Sequence, residues 1–195
     1  MLDQVLSLFI CIALCSPCIA QSTDAQYAKA QFGEINVAPI KDMAHEMYQM
    51  SRANQVDLPS GDFKAMAAFK IEPDGSIAKE SIRLIHSSGS MVMDKKTIEM
   101  LWCIGQSHAF GPLSPLSSST IELQVDDVEI KLSLTGFAPA PEEAKAKVTQ
   151  LSLLMKLVGA QQRSRNPIVS ELLGRLVLKA DNNRIDAEIR LPRAR

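Results

Sequence analysis

His86, Ser87 and Ser88 set an imidazole beside two hydroxyls, the residue types from which a general base and a nucleophile are made. Their spacing argues against that use. Neighbouring residues of an extended chain point to opposite faces, so His86 and Ser87 are badly placed to share a proton. No Gly-x-Ser-x-Gly elbow surrounds them. His45, His86 and His108 are the three histidines; none has a second at i+4 or a Cys-x-x-Cys partner, so a zinc site would need ligands gathered from distant segments. Asp126-Asp127 and Glu142-Glu143 read as a turn and a helix start rather than as paired catalytic carboxylates. Cys103 follows Trp102 on an apolar-rich stretch and reads as a packed, inert thiol; an intermolecular disulfide stays open as the alternative. The residues therefore predict no catalytic group, no metal site and no cofactor.

The elements around them are those of an ordinary globular chain, 46% hydrophobic and 22% charged over 195 residues. A formal net charge of −1, without charged runs, gives no electrostatic footing for nucleic acid. Val5–Cys15 is a short apolar core, followed by Pro17, Ala20 and a polar stretch. That pattern reads as a secretory leader over residues 1–20, although its first residues, MLDQ, carry an acid and no Lys or Arg. An uncleaved anchor is the other reading, so membrane association stays open, while both readings place the protein in the periplasm or otherwise outside the cytosol. Cys11, Cys15 and Cys18 lie in this leader, which leaves Cys103 as the single thiol of the remainder.

A polar arm spans residues 21–38. From Pro39, the spacing of Ile40, Met43, Ala44, Met47 and Met50 predicts a helix. Phe63–Ile71 and Ile77–Ile85 predict a β-hairpin whose turn is built on Asp74 and Gly75. Ser88, Gly89 and Ser90 turn the chain and cap a second helix, with the stripe Met93, Thr97, Met100, Leu101 and Ile104. Over 120–137 the apolar parity switches between Val125 and Val128, which calls for a turn at Asp126-Asp127 or for a bulge. The hairpin reading would set Val125 against Val128 and Leu123 against Ile130. Ala138–Pro141 reads as a linker. Residues 142–195 then read as an appendage of two helices and a hairpin about Asn182, whose last arm alternates Ile185, Ala187, Ile189 and Leu191 with charges.

The motifs IEPDGSI, HSSGS, a helix carrying Asp94, and FGPLSPL occur in that order. Together they resemble the C-terminal domain of the TonB/TolA family over about residues 39–137, with Met93-Asp94 standing where the family usually has Leu-Asp. The long periplasm-spanning arm of that family has no counterpart here. The resemblance implies an α+β domain of helix, hairpin, helix and hairpin, and it implies binding rather than catalysis. Family members take a partner's strand onto a sheet edge or present a sheet face, with main-chain hydrogen bonds supplying affinity. The function so implied is a non-catalytic envelope adaptor that captures a protein segment by strand addition; a structural or homodimeric envelope module is the alternative. On this reading 120–134 is the edge, and Glu122, Gln124, Glu129 and Lys131 dress its outer face, either for a partner or against aggregation.

Overall fold

The computed structural model describes residues 62–192, apart from 109, 115, 165 and 166, together with 38, 39, 42, 43, 45, 46 and 49. The segments expected to be a leader and a polar arm, and most of the helix expected from Pro39, lie outside the described residues. Those described between Ala38 and Gln49 are helical; Met43 is buried, and Glu46 reaches Lys96 at 2.6 Å.

The fold is α+β. Strands β1 (Phe63–Phe69) and β2 (Arg83–His86) precede helix α1 (Met91–Gln106); β3 (Ser119–Val125) and β4 (Glu129–Phe137) follow it. Helices α2 (Pro141–Gln162) and α3 (Pro167–Arg175) then lead to β5 (Val177–Asp181) and β6 (Arg184–Pro192). All six strands form one antiparallel sheet, in the order β2-β1-β3-β4-β6-β5.

Side-chain alternation decides which face is covered. Phe63, Ala65, Ala67 and Phe69 of β1 are buried, as are Ile121, Leu123 and Val125 of β3 and Ile130 and Leu132 of β4. The register carries this row onto Ile189 and Leu191 of β6. Leu101 and Ile104 of α1, Ala144 of α2 and Leu172 of α3 join the same apolar cluster, so all three helices lie on one face. Ala65 and Ala67 suit this role, because short side chains let a helix approach the sheet closely.

Three details differ from the sequence reading. Residues 77–82 are not strand: Ile71 and Ile77 form an isolated bridge, Lys79–Ser81 is a turn of 3-10 helix, and a bulge interrupts the β1–β2 ladder. The Ser81 hydroxyl donates to the Ala78 carbonyl at 2.6 Å, a local bond that competes with strand pairing.

The β3–β4 turn is longer than a two-residue loop. Val125 stands opposite Ile130, Leu123 opposite Leu132 and Ile121 opposite Leu134, while Val128 is 74% exposed. The carboxylate of Asp126 accepts from the amides of Val128 and Glu129, both at 2.8 Å, which builds a wider turn than Asp-Asp could make in the primed form. The slip is by two residues, so each side chain keeps its face.

Residues 138–141 are not a free linker. Ala138 is buried and donates its amide to the Asn183 carbonyl at 2.8 Å. The segment that follows supplies two strands to the common sheet instead of hanging from it.

Candidate functional site

The serines beside His86 have a structural employment. Asp94 Oδ1 accepts from the Ser88 amide at 2.8 Å and from the Ser88 hydroxyl at 2.7 Å, while its Oδ2 accepts from the Ser87 hydroxyl at 2.5 Å. The Gly89 amide donates to Ser87 Oγ at 3.0 Å, and the N-cap Ser90 accepts from the Met93 amide at 3.4 Å. Gly89 has φ +84°, which a side chain would resist. Burial pushes the Asp94 carboxyl up, but the bonds from Ser87 and Ser88, helped by His86, outweigh it and hold the group below its ordinary value. This knot turns the chain from β2 into α1, with an acid near the positive end of the helix. Both hydroxyls donate to the one carboxylate of Asp94 rather than to the His86 ring.

The Pro-Asp-Gly turn is fixed from outside. Asp74 Oδ1 accepts from the Ser76 amide at 2.9 Å and hydroxyl at 2.7 Å, and these bonds lead in lowering its carboxyl below the usual range. The loop after α1 clasps the turn: His108 Nδ1 lies 3.0 Å from the Asp74 carbonyl, and the Ser114 hydroxyl donates to the carbonyls of Glu72 and Pro73 at 3.1 and 3.0 Å. Gly105 gives Ile77 its room, since a Cβ there would come within 2.7 Å of the Ile77 Cβ. Two motifs more than thirty residues apart in the chain thus make one packed corner.

Glu122, Gln124, Glu129 and Lys131 do not lie on an edge. β3 is paired with β1 and β4, and β4 with β3 and β6, so the backbone of these strands is bonded on both sides. Their side chains face the sheet surface opposite the helices, laced by cross-strand ion pairs: Lys64–Glu122 at 2.9 Å, Lys131–Glu188 at 3.2 Å and Arg190–Glu129 at 3.2 Å. The Arg190 bond leads in lowering the Glu188 carboxyl, with Lys131 adding to it. This face is a shallow concavity of about 530 Å³. A signal for the β4–β6 pairing was present in the sequence: two amphipathic nine-residue strands, one bearing Glu129 and Lys131, the other Glu188 and Arg190.

Two sheet margins remain. β2 is short and bulged, which spoils it as a template. β5 runs in unbroken register with β6 from Val177 to Asp181, and no described strand pairs with its other side. Next to β5 a groove of about 500 Å³ opens between α2 and α3.

Cys103 is free and half-buried, and burial pushes its thiol up, in keeping with a packing role. Among the described residues no His, Cys, Asp and Glu cluster could hold a metal ion, and no helix is long and apolar enough to cross a membrane.

No curated protein and no solved structure matches the chain. A family model does. Its match ends at Asp126, so β4, α2, α3, β5 and β6 all lie beyond it. Over residues 41–126, which take in β1, β2, α1 and β3, the chain matches the family model of the TonB C terminal.

Proposed function

We propose that this protein is a non-catalytic envelope adaptor that takes up an extended segment of a partner protein along the outer margin of β5. The match to the TonB C terminal supports a protein-binding role in the envelope, and the leader-like residues 1–20 agree with a periplasmic location. One observation carries the choice of margin. β4 occupies the side of β3 where the matched segment ends, and β6 covers β4 in turn, so among the described residues the first regular strand with a side left unpaired is β5. Its loop is the two residues Asn182 and Asn183, between the paired Asp181 and Arg184. That parity turns the N–H and C=O groups of Leu178 and Ala180 away from β6, ready to bond an added strand.

A photo-reactive residue at Lys179 tests this in envelope extract. Adducts at Lys179, absent from the same probe at Lys131 or Arg83, are the expected result. Adducts at Arg83 in place of Lys179 would move the site to β2 and overturn the assignment.

A homodimer through α2 is the second reading. Leu153 and Leu157 are 60% and 61% exposed and lie four residues apart on one helix face. Sedimentation of wild type and L153K/L157K decides it: a dimer lost in the variant supports that reading, and a monomer in both removes it.

A further inference from the structure

The groove beside β5 has three properties that belong together. Its apolar walls are Met155 of α2, Leu173 of α3, Leu176 between α3 and β5, and Leu178 of β5. Leu178 lies on the helix-covered side of the sheet, in the row that holds Ala187 and Leu134. Every second residue of a strand laid against β5 would therefore project beside Leu178, toward the groove. Lys156 and Arg163, both exposed, are the charged groups on its rim; no carboxylate lines it, and neither cation makes an ion pair among the described residues. The nearest acid in α3, Glu171, is engaged by Arg175 at 2.8 Å. The volume of about 500 Å³ falls within the range of about 300–1,000 Å³ usual for ligand pockets.

We propose that this groove is the selectivity pocket of the β5 margin, and that the captured segment is an extended peptide with apolar residues at alternate positions and acidic residues flanking them. The inference rests on strand addition at β5. Main-chain bonds to Leu178 and Ala180 hold any extended chain; the groove receives its alternate apolar side chains, and Lys156 and Arg163 favour acids at its ends. Gly159 and Gly174 keep the groove open. A Cβ on Gly174 meets nothing within 4 Å, and one on Gly159 comes no closer than 3.8 Å to Leu173.

The probes are two fluorescent seven-residue peptides alternating valine and threonine, one ended by aspartates and the other by lysines. Anisotropy with the full chain at low salt should show the aspartate-ended peptide binding about tenfold more tightly, since two rim charges are involved. The double variant K156E/R163E should reverse the order. G174L should weaken both peptides while melting like wild type, because its side chain has room but fills the groove. Equal affinities, alongside adducts at Lys179, would overturn the pocket and leave the margin standing. No binding of either peptide and no adducts at Lys179 would remove both. If oleate binds, is blocked by G174L, and neither peptide competes, the occupant is an acyl anion and the peptide proposal is wrong.

Discussion

Gly75 and Gly111 meet backbone to backbone. A Cβ on Gly75 would stand 2.3 Å from the Gly111 nitrogen, and Gly75 has φ +82°. G75A must therefore strain the backbone and push the two loops apart, at a cost of about 3 kcal/mol. Gly89 has nearly the same φ, +84°, but nothing within 4 Å of its missing Cβ, so G89A should cost only about 1 kcal/mol. Urea midpoints of the two variants measure the difference. Equal losses would mean that the corner does not depend on close approach.

The carboxylate of Asp94 holds the β2–α1 turn through Ser87 and Ser88. Its carboxyl is depressed in the folded state, so its contribution is present above the unfolded value near 3.9 and is lost as pH falls through the folded value. D94N should lower stability at pH 7 by about 1–2 kcal/mol and flatten the acid limb of the stability profile below pH ~4. Chemical denaturation from pH 2 to 7 checks both; a variant whose acid limb is as steep as wild type would refute the role.

Ser119 is 1% exposed on the core face, and its hydroxyl finds no partner among the described residues. Removing an unsatisfied buried hydroxyl relieves its desolvation, so S119A should be neutral or stabilising by up to about 1 kcal/mol. The ion pairs of the open face predict equally small effects. Lys131–Glu188 is partly solvated, and a double-mutant cycle on it should give about 1 kcal/mol or less. Thermal melts of the variants decide both points.

Much of this arrangement was readable from residue patterns. The stripe of Met93, Met100, Leu101 and Ile104 marks α1 because helical spacing brings those residues onto one face, and all four are buried. Ser90 is the N-cap, a role its hydroxyl and its place before the stripe foretell. What escaped was non-local. The complementary charges of Glu129 and Lys131 and of Glu188 and Arg190 are compatible with pairing of 129–137 and 184–192, but they do not fix it, because an amphipathic strand looks the same in the interior of a sheet as at its edge. The slip at Asp126 escaped for a related reason: parity fixes the face of each residue but allows any even shift. The clasp of His108 and Ser114 on residues 72–74 joins segments that no local spacing connects.

Deleting residues 141–195 should expose more than it removes. β4 would lose its nine-residue partner β6, and the apolar row of Ile130 and Leu132 would lose Ile189 and Leu191 beside it. A long bare edge next to an uncovered apolar row favours association between chains, so the shortened protein should aggregate. Light scattering checks this, and a soluble monomer of native melting temperature would contradict the shared sheet.

Amide hydrogen exchange on the full chain, free and with a bound partner segment, addresses the β5 margin most directly. The β4 amides should exchange slowly in both states, since that strand is paired on each side. Leu178 and Ala180 should exchange quickly in the free protein and slow down when the segment binds. Slow exchange at those two residues in the free protein, or slowing confined to Arg83–His86, would contradict capture at β5.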